Sequence, residues 1–191
     1  MKLAVYDIET KKGIPSPDTN NIMEVCSGWT DFIGMGISIL SITYFRRIDR
    51  ENTEVVTETF LNLEDFKARI LELKKQGYKV GGFNTKKFDD KLLKAHGFDL
   101  TSDFDILDLV REAAGVKLFQ KGVSYALDFI AKANGMAKPH SGALAPLLFQ
   151  QGKIKELTDY VANDTQMEYN ILMKLIAGTL IDPNTGRKLK I

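Results

Sequence analysis

The period of the apolar positions changes several times along the chain. Residues 3 to 8 form a short apolar run that ends in Asp-Ile-Glu-Thr, and a stretch rich in Lys, Pro, Gly and Asn follows over 11–21. This pattern predicts a strand that stops in ionisable residues and runs into a loop. From about 32 to 60 the chain is rich in Ile, Val, Thr, Tyr and Phe, broken at 46–52, as expected for two or three antiparallel strands. Asn62 then precedes Leu63-Glu64-Asp65-Phe66, apolar residues recur at 66, 70, 71 and 73, and Gly77 closes the segment. An amphipathic helix with an asparagine cap and a glycine stop follows from that spacing. Residues 78–83 read as a further strand, 84–90 lead into a helix that ends near His96, and a short strand is expected at 104–106. Helices are expected over 106–114, 122–133, 142–151 and 154–177, and the Pro/Asn/Gly turn inside 181–191 suggests a terminal hairpin.

A strand meander, then helix, strand, helix and strand, then a helical second half is an α/β arrangement rather than an all-β or bundle one. At 191 residues the chain fits one domain, read here as 1–178 with a tail over 179–191. Hydrophobic residues make up 44% and charged residues 27%, which excludes a disordered chain. Twenty-six basic side chains against 25 acidic ones leave a net charge of +1, so a nucleic-acid partner has to be held by local basic patches. A single cysteine, Cys26, forms no internal disulfide, and no apolar run approaches the roughly 20 residues of a bilayer span. A cytoplasmic, reducing compartment is expected. The first residues enter a strand directly, without the apolar core and cleavage site of a secretory signal, so no segment is expected to be removed.

Three clusters carry candidate chemistry. Side chains two apart on a strand share a face, so Asp7 and Glu9 present two carboxylates together while Ile8 turns to the core. Like charges held that close repel, and a divalent metal with oxygen ligands relieves both. The plainer alternative is a strand end entering a solvated acidic turn. The second cluster, Gly82-Phe83-Asn84-Thr85-Lys86-Lys87-Phe88-Asp89-Asp90, follows a strand end, where ligand groups commonly gather. Its alternative is that Asp89 and Asp90 serve the dipole of the helix they start. The third is Tyr160-Val161-Ala162-Asn163-Asp164, in which a four-residue spacing sets the phenol and the carboxylate on one helix face.

Taken together and in this order over nearly the whole chain, the clusters resemble the signature of the DEDD (DnaQ-like) 3′-to-5′ exonuclease superfamily. The signature is Asp-x-Glu on a first strand, Asn and Phe-Asp after a later strand, and Tyr-x-x-x-Asp on a C-terminal helix. The three-residue gap between Asn84 and Phe88 is similar to the exonuclease domain of family B DNA polymerases and stand-alone relatives, and the polymerase domain itself is expected to be absent. The resemblance implies an RNase H-like fold, with a mixed central sheet, an antiparallel meander and flanking helices. It implies hydrolysis of phosphodiester bonds from the 3′ end of single-stranded nucleic acid, DNA favoured over RNA. It also implies two divalent ions, Mg²⁺ or Mn²⁺, bound by Asp7, Glu9, Asp89 and Asp164, with Asp7 bridging both. Because the position five before Asp164 is Asp159 and the position four before it is Tyr160, the tyrosine type (DEDDy) is implied, with Tyr160 orienting the attacking water. Thr10, Asn84 and Phe88 are implied substrate contacts, Phe88 being equally suited to core packing.

Asp90 can replace Asp89 as the ligand in a shifted helix register, and Asp105 or Asp108 can offer a further carboxylate, although Asp105 suits a helix cap. Lys86, Lys87, Lys91 and Lys94, and more weakly Lys138 and Arg187, Lys188 and Lys190, offer phosphate contacts or simply solvated faces. His96 and His140 are read as structural or surface residues. The competing readings are a catalytically silent nucleic-acid-binding or scaffolding module of the same fold, and a related nuclease that cuts internally.

Overall fold

The computed structural model describes residues 1–17, 19, 21–47, 52–116, 122–136 and 144–191. Its centre is a five-stranded mixed sheet in the order β3-β2-β1-β4-β5. The strands are β1 (Leu3–Thr10), β2 (Ile37–Arg47), β3 (Thr53–Phe60), β4 (Lys79–Gly82) and β5 (Phe104–Asp105). β1 runs antiparallel to β2 and β2 antiparallel to β3, whereas β1 is parallel to β4 and β4 to β5. The helices are α1 (Phe32–Met35), α2 (Leu63–Lys75), α3 (Asp89–Ala95), α4 (Ile106–Ala113), α5 (Leu127–Ala133), α6 (Leu144–Gln150) and α7 (Ile154–Ile176). A two-stranded hairpin, β6 (Leu180–Ile181) with β7 (Lys188–Leu189), follows α7. No helix among the described residues is long and apolar enough to cross a membrane.

The alternation in β1 sets the layers. Ala4, Tyr6 and Ile8 pack with Phe66, Ile70 and Leu73 of α2 and Leu92 and Leu93 of α3 on one face of the sheet. Leu3 and Val5 pack on the other face with Val110 of α4 and Ile171, Leu172 and Leu175 of α7. Each buried side chain of this size contributes about 1.5–3 kcal/mol, and a one-residue slip of β1 would exchange its two faces. Burial of the apolar residues therefore dictates that Asp7 and Glu9, in phase with Leu3 and Val5, face α7. That helix crosses β1, β2, β3 and β4.

Several expected boundaries move, each for a local reason. β1 continues to Thr10 because Glu9 pairs with Ile39 and Thr10 with Ile37, across an irregularity between Glu9 and Thr10. The meander holds two strands; its start, Phe32–Met35, is a helical turn whose Gly34 N–H donates to Asp31 at 2.9 Å. The Asn62 cap forms as expected, accepting from the Asp65 N–H at 2.8 Å. The helix expected from 122 begins at Leu127, because Asn184 of the terminal hairpin holds both backbone groups of Ser124 and keeps the preceding segment extended. Residues 142 and 143 of the next expected helix, and 48–51 of the expected break, lie outside the described residues, as do Lys138 and His140.

Candidate functional site

Carboxylate oxygens of Asp7, Glu9 and Asp164 all lie within 4.8 Å of one another. The sheet delivers the first two from alternate positions of β1, and α7 brings the third from across the layer. One turn earlier on α7, Tyr160 is buried and hydrogen-bonded to Asp164. Burial, followed by the charges of Glu9, Asp164 and Asp7, pushes the Tyr160 phenol far above its ordinary value. The phenol therefore keeps its proton and acts as a hydrogen-bond donor, not a base.

Asp89 arrives from the turn between β4 and α3, which several contacts shape. A Cβ on Gly82 would run into the Tyr6 carbonyl and the Thr85 side chain, so glycine lets this backbone close on β1. Asn84 has φ +61°, a left-handed conformation that asparagine tolerates better than most residues. Asp105 pins the turn by accepting from the Asn84 and Lys86 N–H groups at 3.1 Å each. Its carboxylate also caps α4 through the Leu107 N–H at 3.0 Å, the cap role expected of it. Asp108 is exposed and borders a separate hollow with Lys87 and Arg111.

The two aspartates that start α3 diverge. Asp90 turns to Tyr6 and Ser102, accepting from the Tyr6 hydroxyl and from the Ser102 N–H at 3.0 Å. Asp89 lines one cavity with Asp7. It is 4% exposed and its Oδ1 is buried without a hydrogen-bond partner. Burial first, and then the Asp7 charge, push its carboxyl well above the usual range. Glu168, one turn beyond Asp164, behaves alike: it is buried and raised by burial and by Asp7, Asp89 and Asp164, and it accepts from the Phe83 N–H at 3.2 Å.

These groups open on a cavity of about 730 Å³ whose walls include Asp7, Glu9, Asn84, Asp89 and Glu168, with Arg111, Ser124 and Tyr125 on the side of α4 and the segment before α5. Trp29, 70% exposed, and Phe88 border this cavity and a neighbouring one of about 400 Å³ that reaches Glu9, Thr10 and Ile14. Phe88 packs as one of its expected roles has it, meeting Phe32 edge-on at 5.9 Å between ring centres, and it also lines both cavities. The Thr10 hydroxyl donates to the Lys12 carbonyl at 2.9 Å, so that wall is presented with its hydroxyl already engaged. His96 lies 3.1 Å from the Phe32 carbonyl, a structural contact. Lys86, Lys87 and Lys91 are exposed, and Lys94 pairs with Asp99 at 3.2 Å.

Sequence reasoning passed over Glu168, Arg111 and Trp29. The first was within reach, because 160, 164 and 168 form one helical stripe. Trp29 sits in a non-periodic loop, and Arg111 is one basic residue in a helical last turn, where the dipole alone would account for it.

Oxygen donors of this kind suit hard divalent cations such as Mg²⁺ and Mn²⁺. The orphaned Asp89 oxygen and the carboxyls forced toward protonation mark an excess of negative charge that a cation would relieve. No protein-family model matches the chain, and no curated protein matches its sequence.

Proposed function

We propose that this chain is a metal-dependent 3′-to-5′ exonuclease of the DEDD superfamily, tyrosine type, with an RNase H-like fold, acting on single-stranded nucleic acid, DNA before RNA. The observation that carries the reading is the convergence of Asp7, Glu9 and Asp164 within 4.8 Å, with Asp89 lining the same cavity as Asp7 and Tyr160 bonded to Asp164. The mixed sheet, with its antiparallel β3-β2-β1 half and parallel β4 and β5, is compatible with that fold.

Asp7, Glu9, Asp89 and Asp164 would hold two divalent ions, which supply acidification of the attacking water and charge neutralisation at the scissile phosphate and the leaving oxygen. The chain's own groups do the rest. Tyr160, its proton retained, orients Asp164 and a water beside it. The aromatic faces of Trp29 and Phe88 offer a stacking surface for bases at the cavity mouth. Arg111, half-buried, lines the same cavity and offers a cation suited to a backbone phosphate.

The test is degradation of 5′-labelled single-stranded DNA and RNA with Mg²⁺, Mn²⁺ or EDTA, by wild type and by Asp7→Ala. A metal-dependent ladder that shortens from the 3′ end and vanishes in the variant is expected. Folded wild-type protein that cuts neither strand with either metal, yet binds them, would replace the enzyme reading with that of a binding module. Cleavage of a circular single strand would replace it with an internally cutting nuclease.

A further inference from the structure

The exonuclease reading has no place for Glu168, yet this side chain is 3% exposed, as deeply set as Asp164 at 3% and Asp89 at 4%. Glutamate is among the residues least often buried without compensation. Around Glu168 stand the Phe83 N–H, at 3.2 Å from Oε2, and the carboxylates of Asp7, Asp89 and Asp164, whose charges all bear on it. One backbone donor does not offset three negative neighbours. Glu168 also borders the same cavity as Asp7, Glu9 and Asp89.

A second observation comes from another element. Asp89, delivered by the turn before α3, has a buried Oδ1 with no hydrogen-bond partner, and its side chain borders that cavity beside Asp7 and Glu168. Buried polar atoms in folded proteins are almost always satisfied, so an orphaned carboxylate oxygen next to further carboxyls points to a cation. Asp7, Glu9 and Asp164 close up within 4.8 Å as one group. Asp89 and Glu168 lie outside that group and line one cavity with Asp7 and Glu9.

We propose that Glu168 is a fifth carboxylate of the metal centre, so that Asp7 is shared between two donor sets, Glu9 with Asp164 and Asp89 with Glu168. The inference rests on the metal-dependent reading above. It differs from a tethering role in which Glu168 merely accepts from Phe83, because a glutamine amide oxygen keeps that hydrogen bond while removing a strong cation ligand.

The deciding experiment is Mn²⁺ titration of the full chain, followed by the electron paramagnetic resonance signal of free Mn²⁺, with thermal unfolding in EDTA and in Mn²⁺. Wild type, Glu168→Gln, Glu168→Asp and Asp7→Asn are compared. Wild type is expected to bind two ions. Glu168→Gln is expected to keep one ion near wild-type affinity and to bind the other at least about tenfold more weakly. Its Tm in EDTA should equal or exceed that of wild type, and its rise with Mn²⁺ should be smaller. Glu168→Asp, with the carboxylate drawn back by one methylene, should weaken the same ion, and this variant decides if the glutamine protein does not fold. Wild-type isotherms and wild-type Tm rises in the Glu168 variants, with binding lost in Asp7→Asn, would overturn the proposal and leave the four-carboxylate reading standing. Absence of Mn²⁺ binding in wild type would overturn both.

Discussion

Asp89 is a carboxyl with almost no water and a negative neighbour. Its pKa is raised, as is that of Glu168, by burial first and by Asp7 next. Below the unfolded value of about 4 both states of the protein hold these protons, and the full stability is present. As pH rises through the folded values, the native state must either surrender protons into a buried acidic cluster or bind more protons than the unfolded chain, so stability falls. In EDTA the Tm is therefore expected to decline as pH rises from about 4 toward neutrality. Mg²⁺ or Mn²⁺, by taking the place of those protons, should flatten the decline; differential scanning calorimetry across that range checks it, and a flat EDTA profile would contradict the charge argument. Tyr160 permits a sharper test, since a phenol held protonated contributes a donated hydrogen bond and nothing as a base. Tyr160→Phe is expected to lower kcat by about 100-fold while leaving the Mn²⁺ isotherm as in wild type. A weakened isotherm would make the phenol part of the ion's cage instead.

At the scale of elements, the turn from Gly82 to Asp89 does the most to set the site, because it must leave β4, reverse at Asn84 and start α3 with Asp89 turned inward. Valine at position 84 would have to adopt φ near +61°, a genuine outlier for a β-branched side chain costing about 1–2 kcal/mol. Asn84→Val should lower the Tm by several degrees and activity with it, whereas Asn84→Gly keeps the fold; equal Tm values in both would mean that the turn has another conformation. What was legible in advance at this scale is what obeys a period. The alternation of Leu3, Val5, Asp7 and Glu9 against Ala4, Tyr6 and Ile8 gave the faces of β1, and the four-residue spacing gave Tyr160 and Asp164 one side of α7. What was not legible depends on partners remote in sequence. Along the chain Asp89 is set apart from Asp90 only by following Phe88 directly, and in space the Tyr6 and Ser102 groups that claim Asp90 separate the two. The turn of α1 was hidden because Phe32, Ile33 and Met35 read as readily in a strand, and the Asp31 side chain and Gly36 decide otherwise.

On the scale of the whole molecule, the cleft is a joint product of the sheet, α7 and the chain's last residues. The hairpin β6-β7 is not a loose end: Leu180 and Leu189 are buried with Leu172 and Leu175 of α7. From that anchored position Asn184 reaches the segment before α5, accepting from the Ser124 N–H at 3.1 Å and donating to the Ser124 carbonyl at 2.9 Å. Asp182 shapes the turn that presents Asn184, accepting from the Asn184 N–H at 3.0 Å and the Thr185 hydroxyl at 2.6 Å. Ser124, Tyr125 and Ala126 line the cavity together with Asp7, Glu9, Asp89 and Glu168, so the terminal hairpin positions a part of the cleft wall that its sequence, a Pro/Asn/Gly turn, does not announce. Removing the clamp with Asn184→Ala deletes the two hydrogen bonds to Ser124, of about 0.5–1.5 kcal/mol each, together with the longer one from the Asn184 amide to Asp182 at 3.4 Å, and frees that wall. Asn184→Asp retains the acceptor for Ser124 N–H but loses the donor, and should fall between alanine and wild type in Tm. Since no carboxylate moves, the Mn²⁺ isotherm of either variant should match wild type, and the loss should appear as a several-fold higher KM for nucleic acid with a smaller change in kcat. A lowered kcat at unchanged KM would mean that the wall supports the carboxylates, not the substrate, and that the hairpin acts through the metal centre itself.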